Sequence, residues 1–368
     1  MRPTSSSSTL RHPSAVRDPT QDQSAADAED GADAAGTPGA AGNAVAAGAL
    51  PWELAWQAAL YGPDGFYRHH APAEHFATSA QGLPGAGGIL AEAVLALARR
   101  YQCRHVVEVG AGRGELLSQL RSLPSHLHLT GVDVVPAPPG LQVDRWLVSP
   151  GGAHLPDGLD DLHDTLVLAH EWLDVVPCPV VDRAKEDPAG WRSVLVTVDG
   201  QEQPGPPPAG PDLEWAQRWL RPEVERAEIG LPRDRALADL LSRVRSGLVV
   251  VVDYGHTAAD RPRHGTLTGY RQGREVTPAP DGTCDLTAHV AFDSLTQVTG
   301  RWHLTTQGEL LRELVGDPKD PVPHHLASTD PQAYLAAVAR RAALTTLTAP
   351  GGLGDFRWLL APRRRPPH

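Results

Sequence analysis

Two hydrophobic periods alternate along this chain. Val106-Val107-Glu108-Val109 is a short apolar, β-branched run, and Leu116, Leu117 and Leu120 follow it at helical spacing. That pattern predicts a strand, a tight turn over Gly110-Ala111-Gly112-Arg113-Gly114, and a helix. Further strands are expected at Leu127–Asp133, Trp146–Val148, Asp164–Ala169, Gly247–Gly255, Trp302–Thr305 and Phe356–Leu360. The Gly247–Gly255 stretch is the most hydrophobic of these and suits a central strand covered on both faces. Helical spacing predicts helices over Trp52–Leu60, Ile89–Arg100, Leu213–Leu220, Arg233–Val244, Gly308–Val315 and Pro331–Leu344. From Val180 to Asp199 the period switches to two, as in an antiparallel hairpin, with Val194, Val196 and Val198 on one face and Leu195 and Thr197 on the other.

Strands alternating with helices predict an α/β, Rossmann-like fold. Its sheet is mostly parallel, with helices on both faces and with inserted helical and β-hairpin segments. Residues 1–48 are Ser, Ala, Gly, Asp and Pro with almost no large apolar side chain, and such a segment cannot offset its ordering entropy. They are expected to form a disordered tail. One domain is expected over 49–368: an N-terminal helical part (49–105), the first half of the core (106–182), an insertion (183–245), and the second half with substrate-cleft elements (246–368).

Composition narrows the class. The formal net charge is −11, which gives no nucleic-acid footprint. Cys103, Cys178 and Cys284 lie far apart without a C-x-x-C, which argues against a disulfide framework or zinc site. They fit a reducing, cytoplasmic setting. No apolar run is long enough to span a membrane, and the first residues lack a signal core. The nine tryptophans are read as packing.

The chemistry gathers at the glycine loop. Glycine permits positive φ and close backbone approach, and the helix start offers free N–H groups to an anionic group. The dinucleotide fingerprint G-x-G-x-x-G is not met: the glycines fall at alternate positions, and Glu115 holds the third glycine's place. Glu108 stands two residues before Gly110, on the strand. Acid-x-Gly-x-Gly-x-Gly at a strand end resembles the first motif of class I methyltransferases that use S-adenosylmethionine (SAM). That resemblance implies a loop of Gly110, Gly112 and Gly114 under the ligand's amino-acid part, with Glu108 orienting the loop and the ligand's ammonium. Asp133 ends the second strand about 20 residues beyond the loop, where a ribose-binding acid belongs; a cap for the next turn is the alternative. Asp253, at a strand's carboxyl end, either orients a loop there or simply ends the strand.

Several separated blocks agree on one family. They are Tyr61-Gly62-Pro63-Asp64-Gly65-Phe66-Tyr67, Phe76-Ala77-Thr78-Ser79, the glycine loop, and Glu171-Trp172-Leu173-Asp174-Val175-Val176-Pro177. To these are added Val252-Asp253-Tyr254-Gly255, Gly265-Thr266-Leu267, Asp285-Leu286-Thr287-Ala288-His289-Val290 and the closing Gly354-Asp355-Phe356-Arg357-Trp358-Leu359. From about Leu50 onward the chain resembles the SAM-dependent methyltransferase family of bacterial and mitochondrial MidA proteins, whose mitochondrial members help assemble respiratory complex I. The resemblance implies a class I methyltransferase fold, SAM as cofactor, and an arginine on a partner protein as methyl acceptor. Two departures stand out: Ala80-Gln81 replaces the family's Pro-Glu, and His170 replaces an Asn before the acid of the fourth strand. His170 still offers a ring nitrogen for hydrogen bonding and is placed with the cofactor residues.

A guanidinium acceptor is protonated at neutral pH and its fork matches carboxylates. Its methylation therefore calls for acids that orient it and take its charge and proton. Glu171 is the first candidate; Asp174, one turn on, is a substrate contact or a cap. His289 is a proton acceptor, a substrate contact or a packed histidine. Tyr67, Phe76 and Tyr254 line a pocket or belong to the core. Three other functions stay open: an assembly scaffold on the same fold, a nucleotide-dependent oxidoreductase, which Glu115 argues against, and a small-molecule methyltransferase.

Overall fold

The computed structural model describes residues 48–70, 84–185 and 190–363. The expected tail lies outside the described residues apart from its last residue, and so do Phe76-Ala77-Thr78-Ser79 and Ala80-Gln81.

In chain order the core elements are α1 (Trp52–Tyr61), α2 (Ala86–Arg100), β1 (His105–Val109), α3 (Glu115–Ser122), β2 (His128–Asp133), β3 (Arg145–Val148) and β4 (Thr165–His170). Then come α4 (Leu231–Arg243), β5 (Gly247–Asp253), α5 (Phe292–Thr299), β6 (His303–Thr306), α6 (Gln307–Leu314), α7 (Pro331–Leu347) and β7 (Arg357–Arg363). The seven strands form one sheet in the order β3-β2-β1-β4-β5-β7-β6. β1 pairs in parallel with both β2 and β4, and β4 with β5. β7 runs antiparallel between β5 and β6. The order reverses direction between β1 and β4, which opens a crevice at the strands' carboxyl ends.

β5 shows why the sheet is buried on both faces. Leu248, Val250 and Val252 join Ala91, Leu95, Leu116 and Leu344 in one apolar layer, from α2, α3 and α7. Val249 and Val251 join Leu237, Leu240 and Leu295 in the other, from α4 and α5. Each such fully buried side chain contributes about 1.5–3 kcal/mol over its exposed form. An aspartate at Val250 would leave an unpaired charge between the layers.

Two smaller sheets stand over the carboxyl ends. One orders Leu50–Pro51, Trp191–Val196, Val180–Arg183 and Arg226–Glu228, with Glu202–Pro204 beside Trp191–Val196. The other orders Arg274–Val276, Thr268–Arg271 and Asp285–Thr287. A third core of Trp52, Trp56, Val180, Val194 and Leu286 joins them to Val134 and Val175, which follow β2 and β4.

Three expectations need correction. α4 falls inside the stretch read as an insertion (183–245), yet it is the crossover helix from β4 to β5 and packs on the sheet through Leu237 and Leu240. Its apolar stripe is that of any amphipathic helix, so sequence does not reveal which sheet it serves. Trp302 is 48% exposed, unlike fully buried Trp52, Trp56 and Trp358. Val198 lies past the end of its strand and is exposed, whereas Val194, Leu195 and Val196 are all buried because both hairpin faces are covered. Among the described residues no helix is long and apolar enough to cross a membrane.

Candidate active site

The glycine loop leaves β1 with Gly110, Gly112 and Gly114 all in the left-handed region, at φ 73°, 58° and 78°. The backbone N–H groups of Gly110 and Ala111 donate to the Val132 carbonyl at 2.9 and 3.0 Å. The Gly112 N–H donates to Asp133 Oδ2 at 2.8 Å. The side chain that holds the loop is therefore Asp133, rather than the strand acid Glu108. Burial pushes the Asp133 carboxyl up to about 6, although its backbone donors oppose the shift. Glu108 is 5% exposed, and its Oε2 has no hydrogen-bond partner among the described residues. Burial, with Glu115 and Asp133 adding repulsion, drives its carboxyl well above the usual range. A buried carboxyl that is costly to ionise alone and has an unmet acceptor beneath a glycine loop suits a cationic ligand group, whose charge would offset that cost.

A second group of acids follows β4. Glu171 adopts φ 51°, the left-handed region that side chains other than glycine and asparagine rarely occupy. Its N–H donates to the Val252 carbonyl at 2.8 Å, so the turn stays locked to β5. The neighbouring His170 is buried; its Nε2 lies 3.6 Å from Glu171 Oε1, and burial lowers its ring to about 4, leaving it neutral at pH 7. Asp253 is fully buried and accepts the N–H groups of Leu173 and Asp174 at 3.1 and 3.3 Å, so it orients the segment after Glu171.

Asp174 is the hub. Its Oδ2 accepts from Tyr254 Oη at 2.6 Å and from Thr287 Oγ1 at 2.7 Å, and those two hydroxyls also touch each other. Its Oδ1 is buried without a partner among the described residues. Burial raises the Asp174 carboxyl, and Glu171 adds to the rise. Asp285 accepts from Tyr67 Oη at 2.6 Å and is also raised by burial. The Tyr254 ring meets His289 edge-on, with centroids 5.1 Å apart, and Phe356 at 5.6 Å. Glu171, Asp174, Asp253, Asp285, Tyr254, Tyr67 and His289 thus come together, while Glu108, Asp133 and the glycines form the adjoining loop site.

Two residues the sequence reading passed over hold this arrangement. Arg233, 2% exposed, donates to the carbonyls of Asp174 at 2.7 Å, Val176 at 3.2 Å and His289 at 2.7 Å. Glu228 accepts from the N–H groups of Thr266 and Leu267, each at 2.9 Å, and from Thr266 Oγ1 at 2.9 Å. Thr266 Oγ1 in turn accepts the His289 N–H at 2.9 Å. An arginine at a helix start and a glutamate at a strand end carry no sequence signal for this, because their partners lie far along the chain.

A family model of S-adenosyl-L-methionine-dependent methyltransferases matches residues 87–310, more than half of the chain. The chain is similar to protein arginine methyltransferase NDUFAF7, mitochondrial, of Mus musculus: 36% identical over 140 residues, 36% of this chain and 30% of the relative. The Homo sapiens protein of the same name is 32% identical over 151 residues, 37% of this chain and 32% of the relative. The match spans about a third of the length of these curated relatives. A Burkholderia thailandensis protein crystallised with S-adenosyl-homocysteine superposes with a TM-score of 0.70 at 20% identity, over 86% of this chain and 89% of that one. A native crystal structure from the same organism gives 0.65 at 22%, over 86% and 88%. These likenesses show the expected Rossmann-like class I methyltransferase fold.

Proposed function

The chain belongs to the family of S-adenosyl-L-methionine-dependent methyltransferases, and from that premise we propose that it methylates a guanidinium nitrogen of an arginine on a partner protein. The observation that carries this reading is the pairing of two acid groups at one sheet edge. One, Glu108 with its unmet Oε2, lies under the glycine loop. The other, Glu171 with Asp174, lies at the end of β4.

The residues of the loop fit SAM. Glu108 would hold its ammonium, the Gly110–Gly114 backbone would take its amino-acid part, and Asp133 would face its ribose. When bound, SAM supplies an electrophilic methyl group on a sulfonium. The protein's task is then orientation more than covalent chemistry. Glu171, held at the rim by its unusual backbone, orients the guanidinium fork. Asp174 Oδ1 adds a second acceptor behind it. As the nitrogen gains carbon it loses a proton, and Glu171 is the acceptor this reading assigns. His289 stands edge-on to Tyr254, whose hydroxyl donates to Asp174, and so borders the same group. The name of the mouse and human relatives supports arginine as the acceptor.

The test is methyl transfer from labelled SAM to proteins of a cell extract, followed by hydrolysis and identification of the labelled amino acid. Label in methylarginine, lost in Glu171→Gln with SAM binding kept, is the expected result. SAM binding with no label on any protein would overturn the reading.

A further inference from the structure

The strand that carries Asp285 and Thr287 has a structured continuation. It pairs antiparallel with Thr268–Arg271, placing Tyr270 opposite Asp285 and Thr268 opposite Thr287. Thr268–Arg271 pairs in turn with Arg274–Val276, placing Glu275 opposite Tyr270. Residues directly opposite each other in antiparallel strands share a face. Asp285, Tyr270 and Glu275 therefore form one row across three strands, on the face that also carries Thr287. The inner end of the row is buried: Asp285 is 2% exposed and hydrogen-bonded to Tyr67, and Thr287 reaches Asp174. The outer end, Glu275, is exposed. Thr268 Oγ1 donates to Glu275 Oε1 at 3.1 Å, which steadies that carboxylate over the same face. Burial, and after it the charges of Glu275, Asp174 and Asp285, raise the Tyr270 hydroxyl, in keeping with its place in the row. The opposite face takes Leu286, Gly269 and Val276 into the third core or against it, and Arg271 and Arg274 at the tip pair on that opposite face. A separate observation points to a ligand at the inner end: Asp174 Oδ1 is buried and unpartnered among the described residues.

We infer that this face is an acceptor subsite, in which Glu275 receives a second basic side chain of the protein whose arginine enters beside Asp174. The inference rests on the arginine reading above. Neighbouring strands lie about 4.8 Å apart, so Glu275 stands roughly 10 Å from Asp285. That is the reach of about three extended residues at roughly 3.3 Å each. The acceptor segment therefore carries Lys or Arg within about three positions of the methylated arginine, on the Tyr270 side of the row.

Short Gly/Ser peptides with one central arginine, and one lysine or glutamate walked through the flanking positions, are the probe. Binding is read by fluorescence anisotropy on the full chain with S-adenosyl-homocysteine present, and transfer from labelled SAM is read in parallel. A lysine within about three positions is expected to tighten binding by roughly 2- to 5-fold, the range of an exposed charge pair. Glu275→Gln should erase that preference, and Glu275→Lys should transfer it to the glutamate peptide, with S-adenosyl-homocysteine affinity unchanged in both. Transfer that ignores the flanking charge, or a preference that survives Glu275→Lys, overturns the subsite and leaves arginine methylation standing. A Glu275-dependent preference without transfer keeps the subsite and overturns the reaction. Failure of every peptide to bind or accept methyl overturns both.

Discussion

Asp133 Oδ2 accepts the Gly112 N–H at 2.8 Å, so the acid ending β2 grips the middle of the loop that leaves β1. The two strands are already paired in register, Val109 beside Val132. The side-chain bond extends that pairing past the end of the sheet into a segment of left-handed glycines. A charge-assisted hydrogen bond of this kind contributes about 1.5–3 kcal/mol. Asp133→Ala is therefore expected to weaken SAM binding by roughly 10- to 100-fold, before counting any ribose contact. Calorimetric titration reads it, and a change under about twofold would show that the loop holds its own shape.

Glu171 pays for its position in backbone strain. A left-handed residue other than glycine costs on the order of 1 kcal/mol or more, and Glu171 also repels Asp174 and Asp253. Glu171→Gly relieves both. The variant is expected to unfold at higher urea, by roughly 1 kcal/mol, while methyl transfer falls on the order of 100-fold. Lower stability with transfer intact would place Glu171 among the structural residues.

Much of this was legible in the sequence, for local reasons. The apolar runs of β1, β2, β4 and β5 and the glycine spacing are properties of consecutive residues, and all reappear where the period placed them. What stayed hidden depends on distant partners. Arg233 reads as a helix residue until three carbonyls from 56 to 59 positions away converge on it. The loop-holding role separates from Glu108 and falls to Asp133 only once β1 and β2 lie side by side. Asp174 as a cap and Asp174 as a hub are the same letter in the sequence; Tyr254 and Thr287 decide between them.

Arg233 ties the segment after β4 to the His289 segment through carbonyls alone. Replacing it by Met leaves three carbonyls short of a donor in a buried place. Arg233→Met is expected to cost about 3 kcal/mol in urea unfolding, and Arg233→Lys distinctly less, since one ammonium can serve some of the same carbonyls. Equal losses would mean that guanidinium shape, not hydrogen bonding, is what the fold requires.

His170 gives the pH prediction. Burial holds its ring near 4, whereas in the unfolded chain a histidine titrates near 6.5. Between those values the unfolded chain binds a proton that the folded one refuses, so acidification through this window favours unfolding. The contribution is fully present above about 6.5 and is lost as pH falls toward 4, on the order of 2 kcal/mol by pH 5. The raised carboxyls of Asp133 and Asp234 act in the opposite sense over a similar range, as they gain protons more readily when folded. The parent protein alone therefore shows only their balance. His170→Asn isolates one side of it: the variant keeps the acids but has no ring to charge. Urea midpoints at pH 7.5 and pH 5 are expected to fall further for the parent than for the variant. Equal falls would mean that the folded ring takes up a proton as readily as the unfolded one, which its burial beside Glu171 would then have to accommodate through an ion pair.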